Sequence, residues 1–238
     1  YTLFIWNASI TINEILYAKT LTVKPSRDLV AVINLTELPM LWVVNPTVPA
    51  RSLKEFIQYA KKTTKRMNFP SAGIGSISHL EAIRFLKFTG IEMTHVPYKD
   101  FGLIINDLIS NEMQFMLFNI ASGMPHFRAG KIRPLATTWP KRLPELPEVQ
   151  TTTEAGFPGF GSNQWNAMFA PAKIPAPLLN SIHTTVAKAL EDPQMKETLG
   201  KQFLFVAAKG SPAEFQQFLG EEAKKWRKVI TDNNITVE

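Results

Sequence analysis

The stretch Phe69-Pro-Ser-Ala-Gly-Ile-Gly-Ser-Ile-Ser-His-Leu80 predicts a short strand, a Gly/Ser loop and the first turn of a helix. Gly73 and Gly75 allow the backbone to turn sharply and to lie close to a ligand. A helix that begins directly after such a loop points its free N–H groups and the positive end of its dipole at the loop. This arrangement suits a carboxylate or another anion, although a loop that only connects strand and helix has the same sequence character.

Strand and helix patterns alternate along the rest of the chain. The continuous apolar run Met113–Phe118 is typical of a strand covered on both faces. Apolar residues at helical spacing predict a helix at Ser52–Arg66, which opens with the capping box Ser52-Leu-Lys-Glu55. Ser78-His-Leu-Glu81 predicts a second capping box after the glycine loop, and Gly90 predicts the end of that helix. The alternation predicts an α/β fold with mostly parallel sheets.

The remaining elements follow from shorter patterns. Apolar and β-branched runs predict strands at Tyr1–Ile5, Leu29–Leu35, Met40–Val44, Met67–Phe69, Glu92–Val96, Ile132–Thr137, Trp165–Ala170 and Phe203–Ala207. Helical spacing predicts helices near Leu103–Ser110, before Gly130, at Pro175–Leu190 and from the cap Ser211-Pro-Ala-Glu214 to about Asn233, while Asn7-Ala-Ser-Ile10 is predicted as a loop.

Composition is that of a globular protein. The 238 residues are 45% hydrophobic and 19% charged, enough to bury one large core or two small ones. No cysteine is present, so disulfides and thiolate chemistry are excluded. No run approaches the roughly 20 apolar residues of a membrane span. The net charge of +6 is spread over helix faces together with acids, so we expect no nucleic-acid partner.

No catalytic or cofactor pattern is complete. The sequence has no Gly-x-Ser-x-Gly elbow, and its four histidines show no metal-ligand spacing. Gly73 and Gly75 begin a Gly-x-Gly motif, but Ser78 stands where a dinucleotide fingerprint has its third glycine. We therefore expect no enzyme activity, no cofactor and no metal. A small α/β serine hydrolase that uses Ser76 and His79 is a remote alternative.

Several further segments occur in a characteristic order. They are Thr94-His-Val-Pro-Tyr-Lys99, Phe118-Asn119, Met124-Pro-His-Phe-Arg-Ala-Gly-Lys-Ile-Arg133, Leu135-Ala-Thr-Thr138, Lys141-Arg-Leu-Pro-Glu-Leu-Pro147, Thr153-Glu-Ala-Gly-Phe-Pro-Gly159 and Phe169-Ala-Pro-Ala172. With the glycine loop, this ordered set resembles the substrate-binding proteins of tripartite tricarboxylate transporters, the TctC or Bug-type periplasmic receptors. The resemblance covers essentially the whole chain. Against the family pattern, Tyr1-Thr-Leu-Phe matches a strand inside the mature protein, so we expect a preceding strand and its Pro/Gly-rich loop to be missing here.

The resemblance implies a type II periplasmic binding-protein fold of two α/β lobes with a ligand cleft between them. Residues 1–38 and 172–238 would form what remains of the first lobe, and residues 39–171 the second. The implied function is the capture of a small organic acid for the membrane components of a tripartite tricarboxylate transporter. The implied protein is a monomer, secreted to the periplasm by a signal peptide that this sequence does not contain. A sensory receptor of the same fold is the alternative.

The resemblance also implies the ligand-binding residues. The glycine loop and its helix would hold a ligand carboxylate, and the next two strand ends would add side chains at Tyr98, Asp100 and Asn119. The loop positions that match the family are Ser71, Ala72, Gly73, Gly75, Ser76 and Ser78. His79 matches a recurrent histidine, for which we expect a hydrogen bond within the loop rather than ligand contact.

Two features depart from the family pattern. Ile74 and Ile77 replace polar residues often found in the loop, which favours either a more apolar ligand or burial of these side chains. Asp100 stands where the family usually has glycine. It would serve either as an outward helix cap or as a cleft carboxylate that favours an amine or hydroxyl on the ligand.

Overall fold

The computed structural model describes residues 2–208 and 210–237, so Tyr1 of the first predicted strand lies outside the described residues. The chain forms two compact units: the first contains Tyr1–Leu38 and Gln164–Glu238, and the second contains Pro39–Asn163. In chain order the elements are β1 (Phe4–Asn7), α1 (Ser9–Leu16), α2 (Pro25–Asp28), β2 (Leu29–Leu38), β3 (Met40–Val44), α3 (Leu53–Lys62), β4 (Asn68–Ser71), α4 (Ile77–Thr89), β5 (Thr94–Pro97), α5 (Phe101–Ser110), β6 (Phe115–Asn119), α6 (Ile120–Arg128), β7 (Arg133–Thr137), β8 (Gln164–Pro171), α7 (Ala176–Leu190), α8 (Pro193–Gly200), β9 (Phe205–Val206) and α9 (Pro212–Asp232).

The first unit contains a sheet with strand order β1-β8-β2-β9. Every neighbouring pair in it is antiparallel. β8 lies between β1 and β2, so it belongs to this unit, and the second boundary falls between Asn163 and Gln164 rather than after Pro171 as the family pattern had implied. The first segment of this unit ends at Leu38.

The second unit has a β6-β3-β7 sheet and a separate β4-β5 pair. β3 is antiparallel to both neighbours, whereas β4 and β5 are parallel. Among the named strand pairs of the described residues, β4-β5 is parallel and the others are antiparallel. The expectation of mostly parallel sheets is therefore wrong. For β2 and β8 the reason is topological. The chain leaves the first unit at the end of β2 and returns to it at the start of β8, so these two neighbouring strands run in opposite directions.

Aromatic packing forms the core of the second unit. Trp42 of β3 stacks on Phe115 of β6 with ring centroids 5.0 Å apart, and Phe56 of α3 stacks on the same ring at 4.1 Å. Phe85 of α4 lies 4.8 Å from Trp42. Because α3 and α4 both contribute a fully buried ring to this stack, the helix that follows the glycine loop is fixed to the central strand.

Helix boundaries agree with the sequence where a local cap decides them. Ser211 and Glu214 form the predicted capping box of α9, and Gly90 ends α4 with φ 66°. Ser52 caps α3, but that helix ends at Lys62, before the predicted Arg66. Helix α1 begins at Ser9, within the predicted loop, and the sequence did not predict α8. No described helix is long and apolar enough to cross a membrane.

Candidate functional site

The glycine loop lies beside the end of β5. β4 and β5 are in register, with Ser71 opposite Pro97, and the N–H of Tyr98 donates to the carbonyl of Ser71 at 3.0 Å. A Cβ at Gly73 would lie 3.9 Å from the carbonyl oxygen of Tyr98. The structure therefore brings together the loop and Tyr98, which are well separated in sequence.

Left-handed glycines and serine hydroxyls shape the loop itself. Gly73 and Gly75 have φ of 103° and 81°, a region that favours glycine. The Ser76 hydroxyl donates to the carbonyl of Gly73 at 2.8 Å and accepts the N–H of His79 at 3.3 Å, so Ser76 is the N-cap of α4. Ser78, predicted as the cap, instead accepts the N–H of Ala72 at 3.3 Å. The predicted capping box at Ser78 and Glu81 is therefore corrected, because the chain enters the helix two residues earlier.

This folding leaves several loop and helix N–H groups without an acceptor in the described part of the chain. The first-turn N–H groups of a helix have no intrahelical partner, and here the Ser76 hydroxyl satisfies one of them. The remaining N–H groups belong to Gly73, Ile74, Ile77 and Ser78. Ile74 is 43% exposed, so this part of the loop faces solvent. Chemically, the arrangement is a set of neutral donors at the positive end of a helix dipole.

Two histidine rings lie beneath the loop. His79 and His95 stack with centroids 3.9 Å apart, and Phe69 stacks on His95 at 4.9 Å. The Nδ1 of His79 accepts the N–H of Gly75 at 3.2 Å, the loop hydrogen bond that we expected of this residue. Burial lowers the pKa of His79 to about 3, with a further contribution from His95, and burial lowers the pKa of His95 to about 4. Both rings are therefore neutral near pH 7.

Ser71 connects the histidines to the backbone of the loop. Its fully buried hydroxyl lies 2.7 Å from Nε2 of His95 and donates to the carbonyl of Gly73 at 3.0 Å. The Ser71–His95 contact has the spacing of a nucleophile and its base, but a substrate has no access to a hydroxyl with no exposed surface. The Ser76 hydroxyl in turn contacts the backbone of His79, not its ring. Neither serine is thus arranged as a nucleophile.

The other predicted side chains lie at the two neighbouring strand ends. The Tyr98 hydroxyl donates to Asp107 on α5, and burial followed by this hydrogen bond raises the pKa of Tyr98 to about 12. Asp100 is the exposed N-cap of α5 and accepts the N–H of Gly102 at 2.7 Å. Asn119 is the N-cap of α6 and accepts the N–H of Ser122 at 2.8 Å.

The N-termini of α4, α5 and α6 each follow a strand of the second unit. β5 is parallel to β4, and the N–H of Gln114, directly before β6, donates to the carbonyl of Asn68, the first residue of β4, at 3.0 Å. We therefore expect the ends of β4, β5 and β6, which carry the glycine loop, Tyr98 and Asn119, to lie at the same edge. Open α/β sheets bind ligands at this kind of edge, outside the carboxyl ends of strands. No group of three His, Asp or Glu residues close enough to hold a metal ion occurs among residues 2–208 and 210–237.

Sequence reasoning missed the role of Glu81. This fully buried carboxylate on α4 accepts the N–H of Gly161 at 3.2 Å, the N–H of Ser162 at 3.1 Å and the Ser162 hydroxyl at 2.5 Å. Arg84 donates to it at 2.8 Å. The spacing of Glu81 from Ser78 predicts a capping box instead. A glutamate among the apolar residues Leu80, Ala82 and Phe85 of α4 is the signal that could have identified it.

Comparison with solved structures defines the class of protein. The whole chain superimposes with TM-score 0.84 and 30% identity on 79% of a structure described as a periplasmic transporter. It matches R. palustris Rpa4515, solved with adipate, at TM-score 0.83 and 31% identity, covering 99% of this chain and 79% of that one. MatC (Rpa3494) from Rhodopseudomonas palustris, solved with bound malate, matches at TM-score 0.78 and 27% identity, covering 96% and 79%. The fold is that of a periplasmic solute-binding receptor.

The family follows from the sequence. The profile of TctC, described as the tripartite tricarboxylate transporter family receptor, matches residues 1–235. The chain belongs to this family, which confirms the resemblance and the type II binding-protein fold expected from it. Members of the family are receptors and not enzymes, so the hydrolase alternative is excluded.

Proposed function

We propose that this chain captures a small organic acid in the periplasm and delivers it to the membrane components of a tripartite tricarboxylate transporter. The observation that carries the proposal is the set of N–H groups without an acceptor at Gly73, Ile74, Ile77 and Ser78, where α4 begins. Such groups bind anions because they combine hydrogen-bond donors with the positive end of the helix dipole. Adipate and malate, the ligands named for two structural neighbours, are both dicarboxylates and support a carboxylate ligand.

The predicted site residues have different roles in this proposal. Gly73 and the first turn of α4 donate backbone N–H groups to one carboxylate of the ligand. Ser71, Ala72, Gly75, Ser76 and Ser78 shape the loop through their internal hydrogen bonds. Tyr98, which stays protonated because its pKa is raised to about 12, offers a hydroxyl oxygen, and Asn119 offers an amide N–H₂. The ligand cleft between two lobes, as the resemblance implied, stays a prediction.

Delivery to a membrane partner rests on family membership, and the proposed mechanism involves binding without chemistry. Asp100 is used as the cap of α5, so we do not assign it to a ligand amine. The glycine loop itself, from Ser71 to His79, contains no acidic side chain, which favours a carboxylate over a cationic ligand.

A ligand screen tests the proposal. The purified chain is heated with adipate, malate and other dicarboxylates, and in parallel with matched neutral compounds such as 1,6-hexanediol. A specific ligand raises the melting temperature in proportion to the logarithm of its concentration above Kd. We expect a shift with at least one dicarboxylate and none with the diol. Equal shifts with both, or no shift with any carboxylate under conditions where the chain melts cooperatively, would contradict the proposal.

A further inference from the structure

We propose that His79 and His95 are positioning residues that hold the loop from Gly73 to Ser76 in its anion-binding shape, and that His79 does so only while its ring is neutral. The inference deepens the proposed function, on which it rests for the identity of the bound group as a carboxylate. The loop geometry that it explains can be measured without any ligand.

The contact of His79 defines its tautomer. Nδ1 accepts the N–H of Gly75 at 3.2 Å, so this nitrogen carries no proton and the ring proton is on Nε2. Protonation of the ring would place a second N–H at Nδ1, directly against the N–H of Gly75. The hydrogen bond would be lost, and with it the constraint on a residue at φ 81° in the middle of the loop.

The tautomer of His95 follows from the number of protons that its partner, the Ser71 hydroxyl, can donate. The Ser71 hydroxyl has one proton, which it donates to the carbonyl of Gly73 at 3.0 Å. Its 2.7 Å contact with Nε2 of His95 therefore uses the Nε2–H of the ring as donor and the Ser71 oxygen as acceptor. These two hydrogen bonds, from His95 to Ser71 and from Ser71 to Gly73, hold the carbonyl of Gly73 in place. His79 holds the N–H of Gly75, two residues later.

The surroundings of the two rings disfavour a positive charge. Phe69 and Ser71 face them from β4, and each ring faces the other at 3.9 Å. Burial disfavours a positive charge on either ring, and the proximity of His95 disfavours it further on His79. Protons on both rings would repel one another at close range. The hydrogen bond between the Gly75 N–H and His79 therefore depends on a neutral His79 ring.

Conservative variants separate positioning from simple packing. In His79→Asn the side-chain oxygen can occupy the place of Nδ1 and accept the N–H of Gly75, whereas His79→Leu fills space without an acceptor. In His95→Gln the amide N–H₂ can replace Nε2–H toward Ser71, whereas His95→Leu has no donor. Removing a buried hydrogen-bond partner changes an equilibrium on the order of tenfold. We expect the Leu variants to weaken adipate binding by about that factor or more, and the Asn and Gln variants to recover most of it.

A ligand-free readout keeps the inference independent of the proposed function. Nitrogen-15 spectra of the imidazoles at pH 7 should show the Nε2–H tautomer for both rings. The Gly75 amide resonance should stay near its wild-type position in His79→Asn and move in His79→Leu. On acidification of the wild type, this resonance should move together with the protonation of His79.

The outcomes are distinguishable. An Nδ1–H tautomer of His79 in the wild type, or a Gly75 resonance unchanged by His79→Leu, overturns the inference. Equal adipate affinity in the Asn and Leu variants overturns it too. If the wild type binds no carboxylate while the tautomers and the Gly75 resonance behave as expected, the proposed function fails and the positioning of the loop stands.

Discussion

The buried carboxylate of Glu81 accepts the backbone N–H of Ser162 at 3.1 Å, across 81 positions of sequence. The same carboxylate accepts the N–H of Gly161 and a hydrogen bond from Arg84. Glu81 belongs to α4, which begins at the glycine loop, and Ser162 lies two residues before β8. One side chain thus ties the helix of the candidate site to the segment through which the chain leaves the second unit.

Replacing Glu81 should destabilise the protein strongly. Glu81→Ala leaves the N–H groups of Gly161 and Ser162 without their acceptor, and we expect a loss of about 3 kcal/mol in the free energy of unfolding. Glu81→Gln keeps one acceptor oxygen and should lose roughly half as much. Urea unfolding followed by tryptophan fluorescence measures both. The exposed Glu92→Ala is the matched control, and an equal effect in the control would refute the anchoring role.

Replacing Gly73 should abolish ligand binding. In Gly73→Val a β-branched residue must adopt φ 103°, so the loop either changes its backbone or carries strain of about 1–3 kcal/mol. Either result misplaces the N–H groups proposed to bind a carboxylate. We expect a loss of affinity for adipate or malate of at least about 100-fold by calorimetry, because several donors move together.

Gly130→Val is the control for backbone strain. Gly130 also has a left-handed φ, 64°, and a Cβ there meets no atom within 4 Å. It ends α6, away from the glycine loop, so it should lower the melting temperature while leaving affinity unchanged. Full binding by Gly73→Val would remove this loop from the site.

Acid should destabilise the protein before most carboxylates titrate. The folded pKa values of His79 and His95, about 3 and about 4, lie below the ordinary value of 6.5, so between these limits the unfolded chain binds more protons than the folded one. The stability that the two neutral histidines contribute to the folded protein is fully present above about pH 6.5 and is lost as the pH falls toward the folded pKa values. We expect a loss on the order of 3 kcal/mol from His79 between about pH 7 and pH 4, and a smaller further loss from His95, which is partly exposed.

The double variant His79→Asn/His95→Gln tests the origin of this acid sensitivity. It lacks both titrating rings, so its free energy of unfolding should change much less over the same pH range. Urea titrations at several pH values provide the comparison. The prediction is wrong if the free energy of unfolding of the wild type does not change from pH 7 to pH 4. It is also wrong if the pH dependence persists in the double variant, because other groups would then cause it.

Asp100 should act as a helix cap and not as a ligand group. Asp100→Ala removes the acceptor of the Gly102 N–H and should cost about 1 kcal/mol in the free energy of unfolding. Asp100→Asn keeps a capping oxygen while removing the charge, so we expect nearly wild-type stability and unchanged dicarboxylate affinity. A clear gain of affinity in Asp100→Asn would show instead that this carboxylate repels the ligand.

Sequence predicted the elements whose causes are local. Ser52, Ser211 and Gly90 were recognised as helix ends because a cap or a left-handed glycine depends on residues within one turn. The glycine loop between β4 and α4 was predicted for the same reason. The hydrogen bonds within the loop were not predicted. Ser76 and Ser78 both have a hydroxyl that can cap a helix, and only the path of the folded backbone makes Ser76 the cap.

Sequence alone therefore determined the family, most strands and helices, and a loop suited to an anion, because these follow from residue order and local backbone preference. The tertiary structure decided what depends on distant partners. It made β8 antiparallel to β2, placed His95 of β5 against His79 of α4, and brought Gly161 and Ser162 to Glu81. These contacts join residues that no local pattern relates, and burial, which changes the chemistry of both histidines, exists only once the strands and helices have packed.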